Sequence, residues 1–322
     1  MPIKPNLIIC GEPNSVFSEI IFKAFKKHRA KKPIVLIGSY NLILAQFKYL
    51  GYKIKLNLVK YENNKFYNLK KKSLNIINID FKFSKSFEKI SSKSNLYIYK
   101  CFEKAFLILK NNKDLGLING PISKKFFLKK KYPGITEFIS KSFKVTNFAM
   151  LIYNKDLAVS PITTHLPLNK VTKSIKKDQI VKKTLLINNF YRNVLSKKTR
   201  FGLTGINPHC ENFFNVSEEK KIIEPAIKIL KNKKINIKGP FPADTIFLRQ
   251  NTKKFDVIIG MYHDQVLAPI KALHGFNAIN ITLGLPFLRI SPDHGPNYEM
   301  IGKNKSDPQS LIDAIKFLDK IK

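Results

Sequence analysis

Short apolar runs alternate with longer segments whose apolar residues recur every three or four positions, and this alternation organises the chain. Leu7-Ile8-Ile9 and the runs at 34–37, 76–79 and 115–118 read as strands. Residues 15–28, 41–50 (closed by Gly51) and a long segment through 102–109 read as helices between them. The 60–72 stretch is rich in Lys and Asn and carries no period. Pro121, after Gly120, is placed to open a helix. The second half keeps the rhythm with runs at 148–152, 158–162, 201–206 and 257–259 and a helix over 180–195. Ser217 suits a helix N-cap with Glu218 and Glu219 in the first turn, and Asp307-Pro308 begins a last helix. Strands alternating with helices predict an α/β protein with a mostly parallel sheet covered on both faces.

Three histidines stand out against this pattern. His165, His209 and His263 each follow an apolar strand-like run. In open α/β sheets the carboxyl ends of strands line the ligand crevice. Three neutral imidazoles converging there suit Zn²⁺ or a similar late first-row ion with one position open to substrate. Asp244 and Asp264 are placed to hold ring N–H groups. Lys271, Asn280 and Arg289 form an anion-binding set; an arginine in a chain this poor in arginine suggests bidentate recognition of carboxylate or phosphate. Residues alone also admit ordinary roles: an ion pair for Arg289, surface or cap positions for the histidines. Neither GxGxxG nor GxxxxGK[ST] occurs, so a dinucleotide would bind by another arrangement.

Composition changes this picture little. The 322 residues suffice for two domains or one large α/β unit. The formal net charge of +36 suggests nucleic acid, but the excess is lysine spread along the whole chain, with arginine only at positions 29, 192, 200, 249 and 289. It reads as a solvated surface, so no nucleic-acid partner is expected. No apolar run spans a membrane, no secretory leader is evident, and Cys10, Cys101 and Cys210 lack paired spacing. A reduced, cytoplasmic location is the expectation.

Several motifs in order carry a resemblance: Gly11-Glu12-Pro13, NGPISK at 119–124, Thr136-Glu137-Phe138, TTHLPL at 163–168, GINPH at 205–209 and GPFPADT at 239–245. The densest are YHDQVLAPIK at 262–271 and NITLGLPFLRISPDHG at 280–295. On these the chain resembles the 4-hydroxythreonine-4-phosphate dehydrogenase family of pyridoxal phosphate biosynthesis. The resemblance implies two α/β/α subdomains related to isocitrate and isopropylmalate dehydrogenases, in a homodimer with the active site in the cleft at its interface. The expected division is 1–133 with 297–322, and 134–296.

The family's metal histidines fall on His165, His209 and His263, shared between subunits, with Zn first choice and Mg, Co or Mn as alternatives. Its substrate residues fall on Thr136, Lys271, Asn280 and Arg289. His209, His263, Asp244, Asp264 and Lys271 carry the implied chemistry, and Asp293, His294, Gly295 and Asp307 belong to a segment similar to an adenosine-binding loop. The implied reaction is NAD- and metal-dependent oxidative decarboxylation of 4-phosphooxy-L-threonine to 3-amino-2-oxopropyl phosphate and CO2, with the product passing to the pyridoxine phosphate ring-forming enzyme. Three departures stand out. Ile135 replaces a substrate-binding histidine, and Cys210 onward replaces a glycine-rich loop. In the cofactor loop, Asn297 and Asn304 replace small residues.

Overall fold

The computed structural model describes residues 4–128, 131–210, 217–275, 277–292 and 295–321. The chain divides into two compact units, Met1–Ile139 with Pro286–Lys322, and Ser140–Leu285.

The first unit begins with β1 (Asn6–Ile9), α1 (Phe17–Lys27), β2 (Ile34–Gly38) and α2 (Tyr40–Tyr49). It continues with β3 (Leu56–Leu58), a hairpin of β4 (Lys60–Glu62) and β5 (Lys65–Tyr67), β6 (Leu74–Asn78), α3 (Asn95–Asn111) and β7 (Leu117–Asn119). The apolar runs of β1 and β2 are buried along their whole length, as a sheet covered on both faces requires. The polar 60–72 stretch holds the hairpin, whose turn residues Asn63 and Asn64 both take positive φ. Pro121 opens no helix. Its carbonyl accepts from the Glu12 backbone at 2.8 Å, tying the chain after β7 to the chain after β1. A single π-helical turn follows at Lys124–Leu128.

Helix α4 (Ile135–Ser142) crosses the boundary between the units. Its first turn belongs with the first unit because the Phe138 ring packs edge-on against Phe102 and Phe127.

The second unit runs through β8 (Ala149–Tyr153), β9 (Ala158–Pro161), α5 (Leu168–Ser174), α6 (Lys177–Asn193) and β10 (Phe201–Thr204). Then come α7 (Glu224–Asn232), β11 (Ile237–Phe241), the short α8 (Ala243–Ile246) and α9 (Arg249–Thr252), β12 (Val257–Gly260), α10 (His263–His274) and β13 (Ile279–Leu283). Ser217 accepts from the Lys220 backbone at 3.4 Å, in the turn that leads into α7. Strand order is β11-β10-β12-β9-β8-β13, parallel from β11 to β9 and antiparallel where β8 meets β9 and β13.

The chain then returns to the first unit with β14 (Arg289–Pro292) and α11 (Gln309–Lys320). There the order is β14-β7-β1-β2-β6-β3, all parallel. The return falls at 286 because β14 pairs with β7. Thr136 and Arg289 thus lie in the first unit, whereas the expected division at 133/134 and 296/297 grouped them with the histidines.

Asp256 anchors the start of β12. It accepts from the Arg200 backbone at 2.8 Å, the Arg200 Nε at 3.2 Å and the Lys197 ammonium at 2.8 Å. Burial works to raise its pKa, but the Arg200 and Lys197 bonds outweigh it and hold the carboxyl at about 2. The folded value lies below the unfolded one of about 3.9, so this stabilisation is present above that pH and is lost as pH falls toward 2. Asp256→Asn is expected to lower Tm at pH 7 by about 2 °C, a small figure because Lys197 and Arg200 are half exposed. Thermal melts across pH should show the difference closing between pH 4 and 2.

Candidate functional site

The three singled-out histidines follow β9, β10 and β12, which are neighbours in the order β10-β12-β9 and run parallel. All three therefore stand at one edge, the carboxyl ends of adjacent strands. The rings of His165 and His263 lie 5.9 Å apart between centroids, inclined by 37°. The Nδ1 of His263 is 2.7 Å from the Asp264 Oδ1, which leaves Nε2 as the outward nitrogen. His209 is exposed and sits in a single 3-10 turn, with φ of 55° at both His209 and Cys210. Among the described residues, no three His, Cys, Asp or Glu side chains form a group that could hold a metal ion. The His165–His263 pair is the assembled part.

Backbone bonds hold these turns. Thr163, two residues before His165, donates both its N–H (3.1 Å) and its hydroxyl (2.8 Å) to the Met261 carbonyl, two residues before His263. The wholly buried Glu219 accepts from the backbones of Ile206 (2.8 Å) and Asn207 (2.9 Å), and from the Asn207 amide at 2.7 Å. Burial works to raise the Glu219 pKa, yet the Asn207 and Ile206 bonds outweigh it and keep the carboxylate below its usual range. Asp244, exposed in α8, lies close enough to Cys210 for its charge to raise the thiol pKa, behind the larger effect of burial. Lys271 lies on α10 as well, eight residues after His263. Asn280 on β13 has a buried Oδ1 with no hydrogen-bond partner among the described residues.

The first unit holds the arginine. Arg289 opens β14 fully buried, and its Nε donates to the Asn119 Oδ1 at 2.7 Å and its Nη1 to the Thr136 hydroxyl at 3.0 Å. Burial lowers its pKa to about 10, with Glu137 working in the opposite direction, so the guanidinium stays charged at neutral pH. Ile135, half-buried, immediately precedes Thr136. Asn119 closes β7 within the NGPISK motif; its type and place were visible, but not its contact with an arginine 170 positions away. Glu219 was read only as a first-turn acid, because its contact with the 206–207 backbone depends on the folded chain.

Of the residues assigned to a cofactor loop, Asp293 and His294 lie outside the described residues. Gly295 is exposed, and Asp307 accepts from the Gln309 backbone at 3.0 Å ahead of α11. The loop is tied to α1. Buried Glu19 accepts from the Ser306 backbone and from Lys23, and the Lys23 ammonium also reaches the Asn304 and Ser306 carbonyls at 3.0 Å. A cavity of about 760 Å³ lies against the loop, lined by Lys85, Phe87, Lys89 and Ile90 on one side and Tyr298 and Ile301 on the other. Among the described residues no helix is long and apolar enough to cross a membrane.

The chain is similar to proteins named 4-hydroxythreonine-4-phosphate dehydrogenase and D-threonate 4-phosphate dehydrogenase. A 4-hydroxythreonine-4-phosphate dehydrogenase of Sulfurihydrogenibium sp. (strain YO3AOP1) is 35% identical over 317 residues, covering 96% of this chain and 95% of that protein. A D-threonate 4-phosphate dehydrogenase of Pectobacterium atrosepticum is 32% identical over 221 residues, 68% of each. The crystal structure of the 4-hydroxythreonine-4-phosphate dehydrogenase from Klebsiella pneumoniae superposes with a TM-score of 0.83 at 25% identity, covering 98% of this chain and 97% of that one. Fold and relatives define an oxidoreductase of the dehydrogenase class. Residues 29–318 match the family model described as pyridoxal phosphate biosynthetic protein PdxA, and the chain belongs to that family.

Proposed function

We propose that the protein oxidises 4-phosphooxy-L-threonine with NAD⁺ and releases CO2, giving 3-amino-2-oxopropyl phosphate for the ring-forming step of pyridoxine phosphate synthesis. The observation that carries this reading is the line of three histidines at adjacent parallel strand ends, with His263 oriented by Asp264. Those donors fit a late first-row divalent ion, zinc first and cobalt next, held by His165, His209 and His263; Mg and Mn, the other ions the family resemblance allows, prefer oxygen donors. A metal bound there supplies Lewis acidity toward the substrate hydroxyl and the carbonyl that replaces it.

The chain's own residues do the rest. Arg289, set by Asn119 and Thr136, presents a fixed cation to an anionic group of the substrate. Lys271 offers a second cation and Asn280 an amide. Asp264 holds the His263 proton on Nδ1 so that the other nitrogen stays free. Bound NAD⁺ would supply the acceptor for the hydride of the hydroxyl-bearing carbon, with the hydroxyl proton passing to solvent. The β-keto carboxylate so formed would lose CO2, and the resulting enolate would take a proton from solvent to give the ketone. Asp293, His294, Gly295 and Asp307 would hold the adenosine end of NAD⁺, as in the loop they resemble; the cavity at Tyr298 has a volume that suits such a group. The active form is a homodimer sharing this site, in the cytoplasm, with no nucleic-acid or membrane partner.

Because Glu19 accepts from the Ser306 N–H and pairs with Lys23, which reaches the Asn304 and Ser306 carbonyls, Glu19→Gln is expected to weaken NAD⁺ binding by about 10-fold while KM for the phosphorylated substrate stays within a factor of two. Cofactor titration by fluorescence beside steady-state kinetics checks the split.

A second reading, oxidation of D-threonate 4-phosphate or an erythronate phosphate, is favoured by one residue. Ile135 offers no hydrogen bond where the family places a histidine, beside the substrate-facing Thr136. NADH formation with 4-phosphooxy-L-threonine and D-threonate 4-phosphate in parallel separates the two. A kcat/KM at least 10-fold higher for the amino acid phosphate is expected, and the reverse preference would establish the second reading.

A further inference from the structure

The cavity at Tyr298 has two walls, and both hang on the short segment 13–23. One wall is the 84–90 loop, which supplies Lys85, Phe87, Lys89 and Ile90; the other carries Tyr298 and Ile301. The 84–90 loop is stiffened from within. The Glu88 carboxylate accepts from the Ser84 N–H at 2.8 Å, the Ser84 hydroxyl at 2.9 Å and the Lys85 N–H at 3.3 Å. Such a loop shifts as one body, so its place depends on its bonds to the rest of the unit. Gln46 of α2, 2% exposed, makes two of them. Its amide nitrogen donates to the Pro13 carbonyl at 2.8 Å and to the Ser86 carbonyl at 2.9 Å. Beside it, the buried Asn14 Oδ1 accepts from the Glu88 backbone at 2.9 Å, and the Ser86 hydroxyl donates to the Ala45 carbonyl at 3.3 Å. The same segment holds the second wall: the Val16 N–H donates to the Pro296 carbonyl at 3.3 Å, and Glu19 and Lys23 bind the backbone at 304 and 306. The walls meet at Gly302, where an added Cβ would lie 3.4 Å from the Phe87 ring.

We infer that Gln46 is a positioning residue that fixes the 84–90 wall against the 13–23 segment, and so sets the width of the cavity and its affinity for the adenosine end of NAD⁺. This inference rests on the reading of the cavity as the adenosine site. Both groups that Gln46 joins are carbonyl oxygens, so the tie needs two donors on one side chain. A primary amide supplies them from a single nitrogen; a hydroxyl has one donor and a carboxylate none. With the wall pinned before the ligand arrives, its ordering is not charged against binding; without the tie, ordering the loop becomes part of the cost of association. Gln46 itself does not line the cavity, so its influence passes through the wall it holds.

The test is calorimetric binding of NAD⁺ and of ADP-ribose, which keeps the adenosine end and lacks nicotinamide, to the full-length wild type, Gln46→Met, Asn14→Ala and Tyr298→Ala. Circular dichroism confirms that each variant is folded. Gln46→Met keeps the side chain's length and removes both donated bonds. It is expected to bind the two probes about 10-fold more weakly, by the same factor, with KM for 4-phosphooxy-L-threonine within about a factor of two of wild type. Asn14→Ala, which removes one bond to the same wall, is expected to bind ADP-ribose about 3-fold more weakly. Wild-type affinity in a folded Gln46→Met overturns the inference while leaving the adenosine site standing. A rise in the substrate KM as large as the loss of ADP-ribose affinity also overturns it, because general loosening of the unit gives that result. If Gln46→Met does not fold, wild-type affinity in Asn14→Ala overturns the inference. A wild-type protein that binds NAD⁺ but not ADP-ribose, or a Tyr298→Ala that binds ADP-ribose as tightly as wild type, overturns the cavity reading and this inference with it.

Discussion

Arg289→Met is expected to lower kcat/KM for the phosphorylated substrate by on the order of 10²–10³-fold, mostly through KM. Arg289 is fully buried, and two of its nitrogens are spent on Asn119 and Thr136. Such bonds fix the plane of the guanidinium, so the group acts as an aimed cation rather than a mobile one. Methionine matches the apolar stem but strands the Asn119 Oδ1 in the interior, so a loss of stability of about 1–3 kcal/mol should accompany the loss of binding. Arg289→Lys restores the charge without the fork; one ammonium cannot reproduce both bonds in the same plane, and recovery of less than a tenth of the activity is expected. Initial rates over a substrate range, with thermal melts of the same samples, separate the two effects. A variant with unchanged KM would show that Arg289 is a structural group only.

His263→Ala is expected to abolish metal-dependent turnover, a fall of about 10³-fold or more, with little change in stability. His263 stands at the middle strand of the three and is the ring held by Asp264. It is also partly exposed at the start of α10, where alanine is a good helix former. Asp264→Asn should be milder, about 10-fold, because it alters the partner and not the ligand. Metal content by elemental analysis after dialysis, set beside the rate, checks both. Retained metal and retained turnover in His263→Ala would remove this histidine from the site.

The strands that position these residues were legible because they are continuous apolar runs. Leu7-Ile8-Ile9 and Val257-Ile258-Ile259 are buried throughout, as continuous apolar strands of a sheet covered on both faces are. The 60–67 hairpin was not legible. Its strands alternate exposed Lys and Glu with tyrosine and phenylalanine, and the signal lay in the Asn63-Asn64 pair, the residue type that tolerates two successive positive φ values. Pro121 misled because a proline suited to a helix start instead presents its carbonyl to Glu12. Within the site, residue types that bear chemistry could be picked out along the chain. Asn119, Glu219 and Gln46 could not, since each is an ordinary amide or acid until folding brings a distant backbone or guanidinium to it. The expected boundary at 133/134 lies just ahead of α4, whose first turn packs with Phe102, a residue that precedes it, so the first unit extends into the helix to Ile139.

The most direct measurement is NADH and CO2 release from 4-phosphooxy-L-threonine and NAD⁺, before chelation, after chelation, and after a divalent metal is added back. The expected result is equal amounts of NADH and CO2, loss of both on chelation, and recovery with Zn²⁺ or Co²⁺. NADH formation unchanged by complete metal removal would contradict the account, because the three strand-end histidines would then have no part in the reaction.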